Sequence, residues 1–191
     1  TSKFNYKVWN IKEVTNDKKF YIYLPISIAA SFISTGLTFH QIFIITEKGW
    51  SLEMLARGFI FLGIFSILGL IIGGPIVDRF NTKKVVLFNL IPLFFAVLIL
   101  VFFTNYLAMF IYMSLLGLSL GIGTPFIGSL WAELYGLRNI GTVKGLLHAC
   151  MVFSSALSPV IFGYMIDLGL GILSLSIMSL LIISISTILP I

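Results

Sequence analysis

The chain has 191 residues, 59% of them hydrophobic and 10% charged, with a mean hydropathy of +1.09 and a formal net charge of +5. A soluble domain with so apolar a surface would aggregate, so this composition excludes an ordinary water-soluble protein and makes a lipid bilayer the solvent. The positive charge is confined to connectors between long apolar runs, which excludes a nucleic-acid face and fits membrane topology.

A hydrocarbon core about 30 Å thick needs roughly 20 apolar residues per helical span. Residues 1–19 are polar, carry five lysines against Glu13 and Asp17, and read as a linker or surface helix. Six spans follow, over residues 20–45, 54–77, 85–103, 107–130, 143–166 and 172–191. A β-barrel would instead show alternating strands of roughly 10 residues. The expected fold is therefore an all-α integral membrane bundle. Arg57 and Lys144 fall inside these limits but within a turn of a span end, where each can snorkel.

Lys3, Lys7, Lys12, Lys18 and Lys19 precede the first span, Arg79, Lys83 and Lys84 follow the second, and Arg138 and Lys144 lie between the fourth and fifth. These connections share one side and hold ten of the twelve basic residues, leaving Lys48 and Arg57 opposite. The positive-inside rule makes that side, with both ends of the chain, cytoplasmic. Trp9, Trp50, Tyr106, Trp131 and Tyr135 fall near span ends, as interfacial aromatics do. Cys150 is alone, so no disulfide framework is implied. The chain begins at Thr1 without an initiator methionine or signal peptide, which reads as a piece of a longer membrane protein.

In the first span Ser27, Ser31, Ser34, Thr38 and Gln41 recur at steps of 4, 3, 4 and 3. At 3.6 residues per turn they form one stripe about 80° wide, which should face a polar cavity or another helix. His40 projects about 140° from that stripe, so either the helix distorts near Gly36 or His40 meets a different neighbour. Gly69 and Gly73, and Gly117 and Gly121, have the G-x-x-x-G spacing of close helix pairs, with Gly128 extending the second stripe. Pro25, Pro92, Pro125 and Pro159 interrupt spans. In the fifth span Lys144, His148, Ser155 and Pro159 share a face; His148 is an interfacial histidine or a gate or proton relay. Glu53 and Arg57, four apart with the acid first, read as a local ion pair.

The connector after the second span reads Gly74-Pro75-Ile76-Val77-Asp78-Arg79-Phe80-Asn81-Thr82-Lys83-Lys84. It resembles the G-x-x-x-[DE]-[RK]-x-G-x-[RK]-[RK] pattern of the major facilitator superfamily, with Gly74, Asp78, Arg79, Lys83 and Lys84 matching. Asn81 replaces the second glycine and should tolerate the left-handed turn expected there. Trp131-Ala132-Glu133-Leu134-Tyr135-Gly136-Leu137-Arg138-Asn139-Ile140-Gly141, with Lys144-Gly145, resembles that superfamily's connection between spans ten and eleven. Ser154-Ser155-Ala156-Leu157-Ser158-Pro159 and Gly163-Tyr164-Met165-Ile166-Asp167 resemble span eleven. With Phe39-His40-Gln41 and Lys48-Gly49-Trp50-Ser51, residues 11–191 are similar to bacterial facilitators distantly akin to monocarboxylate carriers.

The resemblance implies spans seven to twelve of a twelve-span carrier in a bacterial cytoplasmic membrane, with residues 1–19 ending the central cytoplasmic loop. It implies a rocker-switch mechanism with an N-terminal six-helix half as partner. The first and fourth spans would line the solute cavity, the second and fifth would meet the other half, and the third and sixth would face lipid. Asn89, the only polar side chain of the third span, is compatible with that last placement. Candidate solute contacts are Ser31, Ser34, Thr38, His40, Gln41 and Thr124, and His148 is a candidate relay. Asp78, Arg79, Glu133 and Arg138 would form a cytoplasmic charge network, while Lys83 and Lys84 would mainly fix topology.

Other functions find less support. Gly117-Leu118-Ser119-Leu120-Gly121 matches G-x-S-x-G, but that motif needs a strand-to-helix elbow and here lies within a helix. No H-E-x-x-H, paired cysteine or phosphate loop occurs, so no cofactor, metal or ATP-driven chemistry is expected. A self-dimerising half-transporter or channel is the alternative to a carrier. No carboxylate lies near the middle of a span, so the expected solute is small, organic and bound by hydroxyl and amide groups, with any charge partner elsewhere.

Overall fold

The computed structural model describes residues 9–190, and Lys3 and Lys7 of the basic cluster lie outside them. A short helix α1 (Ile11–Asn16) opens the described chain, closed by a reciprocal Asn10–Glu13 capping box. Asp17 then caps α2 (Lys18–Phe39) by accepting from the Lys19 amide at 3.0 Å. Helix α3 (Gln41–Lys48) follows directly and ends at Gly49, whose φ of 67° suits glycine. Ser51 caps α4 (Leu52–Arg79), and Asn105 caps α7 (Tyr106–Tyr135). Between them run α5 (Thr82–Val85), a 3₁₀ turn over Val86–Leu90 and α6 (Ile91–Phe102). Helices α8 (Ile140–Asp167) and α9 (Ile172–Ile188) complete the chain.

The breaks have local causes. Pro92 has no N–H for the Phe88 carbonyl four residues back, so the Ile91 amide takes that carbonyl and the chain tightens into a 3₁₀ turn. Pro92 sits in the first turn of α6, where its missing donor costs nothing, and so marks the interruption of this span between the 3₁₀ turn and α6. Asn81 is not left-handed. At φ −61° and ψ 120° it is extended, and its side-chain oxygen accepts from the Lys83 amide to start α5. An N-cap, not a tight αL turn, therefore accounts for asparagine in the connector.

Five helices are long and apolar enough to cross a membrane: Lys18–Phe39, Leu52–Arg79, Thr82–Phe102, Tyr106–Tyr135 and Ile140–Asp167. Helix α9 is equally apolar but has 17 residues, about 25 Å at 1.5 Å per residue. The first expected span divides at His40, where φ −100° and ψ 27° leave the helical region. The fourth and fifth run a turn or so further than the hydropathy indicated, ending at Tyr135 and beginning at Ile140.

Neighbouring helices pack in the order α4–α7–α6–α9–α2–α8, with α7 also touching α2 and α8. The tightest pair is α4 with α7. A Cβ at Gly117 or Gly121 would collide with the Leu62 or Ser66 carbonyl, and one at Gly69 would come within 2.8 Å of the Leu118 carbonyl. Glycine is obligatory there because backbone meets backbone. Helices α4 and α8 are the ends of the series. Only 11% of the most apolar stretch of each is buried, against 56% for α7 and 50% for the Thr82–Phe102 segment.

The third span buries one face, on which Asn89 is wholly enclosed, and exposes Phe88, Phe95 and Phe102 on the other. Trp131 is no interfacial anchor. It has no exposed surface, stacks on Tyr135 and donates to Ser27 Oγ at 3.3 Å. Trp50 is buried too, donating to the Thr104 carbonyl at 2.8 Å. The end of the bundle that carries Lys83, Arg138 and Lys12 is called the basic end below.

Candidate functional site

Where α2, α7 and α8 diverge they enclose a cavity of about 470 Å³. Helix α2 contributes Ser31 and Ser34, α7 contributes Ser119 to Gly128 along one face, and α8 contributes Lys144, Leu147, His148 and Met151. From Ser119 to Gly128 it extends about 14 Å along α7. Leu120, Ile127, Leu147 and Met151 make most of its wall apolar, and its polar groups converge from three helices. A mainly apolar cleft with few convergent polar groups is the usual character of a small-molecule site.

The polar groups differ along its length. Ser34 and Ser119 are 4% and 2% exposed, and neither hydroxyl has a hydrogen-bond partner. Buried hydroxyls without partners are uncommon and costly, which marks both as unusual beside the cavity. Towards the basic end Lys144 brings its ammonium to 3.8 Å from the Cβ position of Gly128, and His148 stands one turn further along α8. Both residues are exposed and line the cavity.

Thr124 joins this lining, as does Ser31. Thr38 lines a smaller groove of about 240 Å³ that shares Ser34 and Leu120 with the main cavity. The stripe therefore follows open space from Ser31 to Thr38 but leaves it at both ends. Ser27 is buried under Trp131, and Gln41 donates to the Tyr112 hydroxyl at 2.7 Å inside the core. The structure thus brings Gln41 to a helix-packing contact and not to the cavity.

His40 also lies elsewhere. Its ring stacks on Phe162 of α8, with centroids 6.0 Å apart, and Nδ1 donates to the Gly36 carbonyl at 2.9 Å. Of the two possibilities left open for this residue, the second holds: α2 is continuous through Gly36, and the ring meets a different neighbour on α8. Helices α2 and α8 are further joined by Thr35 with Ser155 at 2.9 Å, and by Ser158 donating to the Phe32 carbonyl.

The expected four-membered charge network is not assembled. Lys83 Nζ lies 3.9 Å from Glu133, joining the α4–α5 connector to the end of α7. Asp78, Arg79 and Arg138 are exposed at the same end and make no ion pair among the described residues. Gly74, half-buried, has nothing within 4 Å of its Cβ position, and Lys84 borders a separate apolar pocket with Phe80 and Phe88. Glu53 and Arg57 do form the local pair, at 2.6 Å on an exposed face.

Sequence reasoning missed three participants. Ser119 hid inside an accidental hydrolase-like motif, although it lies five residues from Thr124. Lys144 was taken for a snorkelling span end, although it shares a helix face with His148. Asn89 was taken as lipid-compatible; its carboxamide is buried without a partner, and Oδ1 lies 3.3 Å from the Cβ position of Gly123 on the cavity wall.

The family model of the Major Facilitator Superfamily matches residues 19–190. The chain belongs to this superfamily. No curated protein matches it at the level searched. Superfamily membership, together with the apolar helices, makes this an integral membrane protein of the transporter type, and members of the superfamily are transporters of small solutes and not enzymes. Ser119, mid-helix in α7, accordingly reads as a cavity hydroxyl rather than a nucleophile.

Proposed function

We propose that the chain is the six-helix C-terminal half of a twelve-span secondary carrier that moves a small organic solute by alternating access. In this reading all six apolar segments cross a bacterial cytoplasmic membrane, with the basic end inside. The observation that carries it is the open cavity between α2, α7 and α8, flanked by helices α4 and α8 whose outer faces have no partner among the described residues. A second six-helix half seated against α4 and α8 would roof the cavity. Rocking between the halves would then expose it to one side at a time.

The unpaired groups at the basic end fit the same mechanism. Asp78, Arg79 and Arg138 are exposed, and Gly74 offers a surface to which a helix could come close. An ion pair across a closing interface is made in one state and lost in the other, which gives the two-state element that alternating access needs. His148, on the cavity wall with Lys144 and Met151, would serve as the relay or gate in this reading. The deciding experiment is uptake by the full-length protein in proteoliposomes, screened with labelled organic acids, sugars and organic cations. Uptake of at least one class above protein-free vesicles is expected. Uptake equal to protein-free vesicles for every class overturns the reading.

A further inference from the structure

We propose that the apolar pocket at the basic end, between α4, α5 and α7, holds one acyl chain of an anionic phospholipid whose phosphate rests on Lys84. The pocket encloses about 380 Å³ and shares no lining residue with the cavity between α2, α7 and α8. Helix α4 and its cap contribute Ile76 and Phe80, α5 and the 3₁₀ turn contribute Lys84, Val85 and Phe88, and α7 contributes Phe126. Phe126 and Val85 are 3% and 4% exposed, whereas Phe80 and Phe88 are 63% and 58% exposed. The pocket therefore has a closed apolar floor and an open aromatic rim. Of its two polar lining residues, Asn81 already accepts the Lys83 amide through its side-chain oxygen. Lys84 is exposed and makes no ion pair among the described residues, and no acidic residue lines the pocket.

The pocket lies on the side of α4 that faces α7, not on the side left without a partner. Ile76 stands seven residues beyond Gly69, where the α7 backbone comes close, so helical periodicity puts the two within about 20° of each other. The exposed face of α4, with Ile60, Ile67, Ile71 and Asp78, is turned about half a revolution away. A second half seated on that face would leave the rim of the pocket open to lipid. Depth and charge then select the occupant. Phe126 comes nine residues before the end of α7, about 14 Å in from the basic end. The pocket thus runs inward from Lys84 as an acyl chain runs inward from its phosphate. Arg79, Lys83 and Lys84 cluster where a span ends, and basic residues so placed attract anionic headgroups. A hydrophilic anion would leave the phenylalanines unused, and a choline lipid brings its own cation to the phosphate.

Full-length protein purified in detergent is unfolded thermally while dioleoyl phosphatidylglycerol or dioleoyl phosphatidylcholine is added in mixed micelles. Glycerol 3-phosphate at matched ionic strength supplies the headgroup without its chains. Phosphatidylglycerol should raise the melting temperature saturably, as a ligand binding only the folded state must, and the other two should not. Lys84→Gln should raise the half-saturating lipid fraction about fivefold or more, and Lys84→Arg should hold it within about twofold. Phe88→Ser removes part of the apolar rim at an exposed position and should raise it at least about threefold with Lys84 intact. Monodisperse elution checks the folding of each variant. Equal shifts with the two lipids, or a phosphatidylglycerol response that survives Lys84→Gln, would overturn the proposal. A response equal in Phe88→Ser, or reproduced by glycerol 3-phosphate, would reduce the site to a surface phosphate contact and overturn the acyl pocket. No lipid response, with a fall of several degrees for lipid-free Phe88→Ser, would give the pocket to another part of the transporter and overturn it too. The site requires no transport and none of these measurements reads uptake, so failure of the carrier reading leaves it standing.

Discussion

Two kinds of hydroxyl and amide look alike in the first span, and their surroundings separate them. Ser34 is buried but bonded to nothing, whereas Gln41 is buried and donates to Tyr112. Removing an unpartnered hydroxyl takes away no intramolecular bond, so Ser34→Ala should change unfolding free energy by less than about 0.5 kcal/mol. The same substitution should raise the apparent transport constant about threefold to tenfold if the hydroxyl bonds solute. Gln41→Leu should show the opposite division, losing about 0.5–1.5 kcal/mol of stability with unchanged transport kinetics. Paired unfolding and uptake measurements on the two variants check this, and a transport defect in Gln41→Leu at normal stability would return that residue to the site. The stripe itself was legible because helical periodicity fixes direction. Which member meets a cavity and which meets a tyrosine 71 residues away was not, because periodicity carries no information about the neighbouring helix.

Helices α4 and α7 owe their contact to glycines that let one backbone rest on the other. Gly121→Leu would drive a side chain into the Ser66 carbonyl, and a rigid backbone cannot yield as a side chain can. It should cost about 3 kcal/mol or prevent folding, whereas Gly63→Ala, with open space around it, should be neutral within about 0.5 kcal/mol. Denaturant unfolding in detergent reads both. At the basic end the Lys83–Glu133 pair has both side chains more than a third exposed, so its stability contribution should be no more than about 1 kcal/mol. Its value would lie in positioning the α4–α5 connector. Lys83→Glu should lower uptake, and Lys83→Glu with Glu133→Lys should restore at least about half of it. Restoration failing while both proteins fold would leave Lys83 a topology signal only. Hydropathy pointed to an apolar helix in each of the expected segments. It could not show the break at His40, since that depends on backbone torsion and on a ring stacked against Phe162. Nor could it rank enclosure: Trp131 was assigned to the interface because a single span does not reveal how many helices surround it.

For the molecule as a whole, the sixth span decides the topology. Five helices have the length to cross a bilayer, and α9, at about 25 Å, is shorter than a hydrocarbon core of about 30 Å. It is free of charge and packs against α6 and α2, so a modest thinning of the bilayer or extension by the residues after Ile188 would let it cross. Parity makes the question measurable. If all six cross, Leu189 lies on the same side as Asn81; if α9 lies in the interface or turns back, it lies on the side of Gly49. In a Cys150→Ala background, single cysteines at Asn81, Gly49 and Leu189 give three exposed or end-of-helix reporters. An impermeant thiol reagent added outside intact cells should label Gly49→Cys alone, and the other two should react only after permeabilisation. The basic residues near Asn81 fix the sign of this expectation, because ten of twelve lie on that side and charged loops resist translocation. Labelling of Leu189→Cys together with Gly49→Cys from outside would reduce the bundle to five crossings and place the two ends of the chain on opposite faces. Labelling of Asn81→Cys from outside would invert the whole bundle, putting the Lys144 end of the cavity at the outer surface.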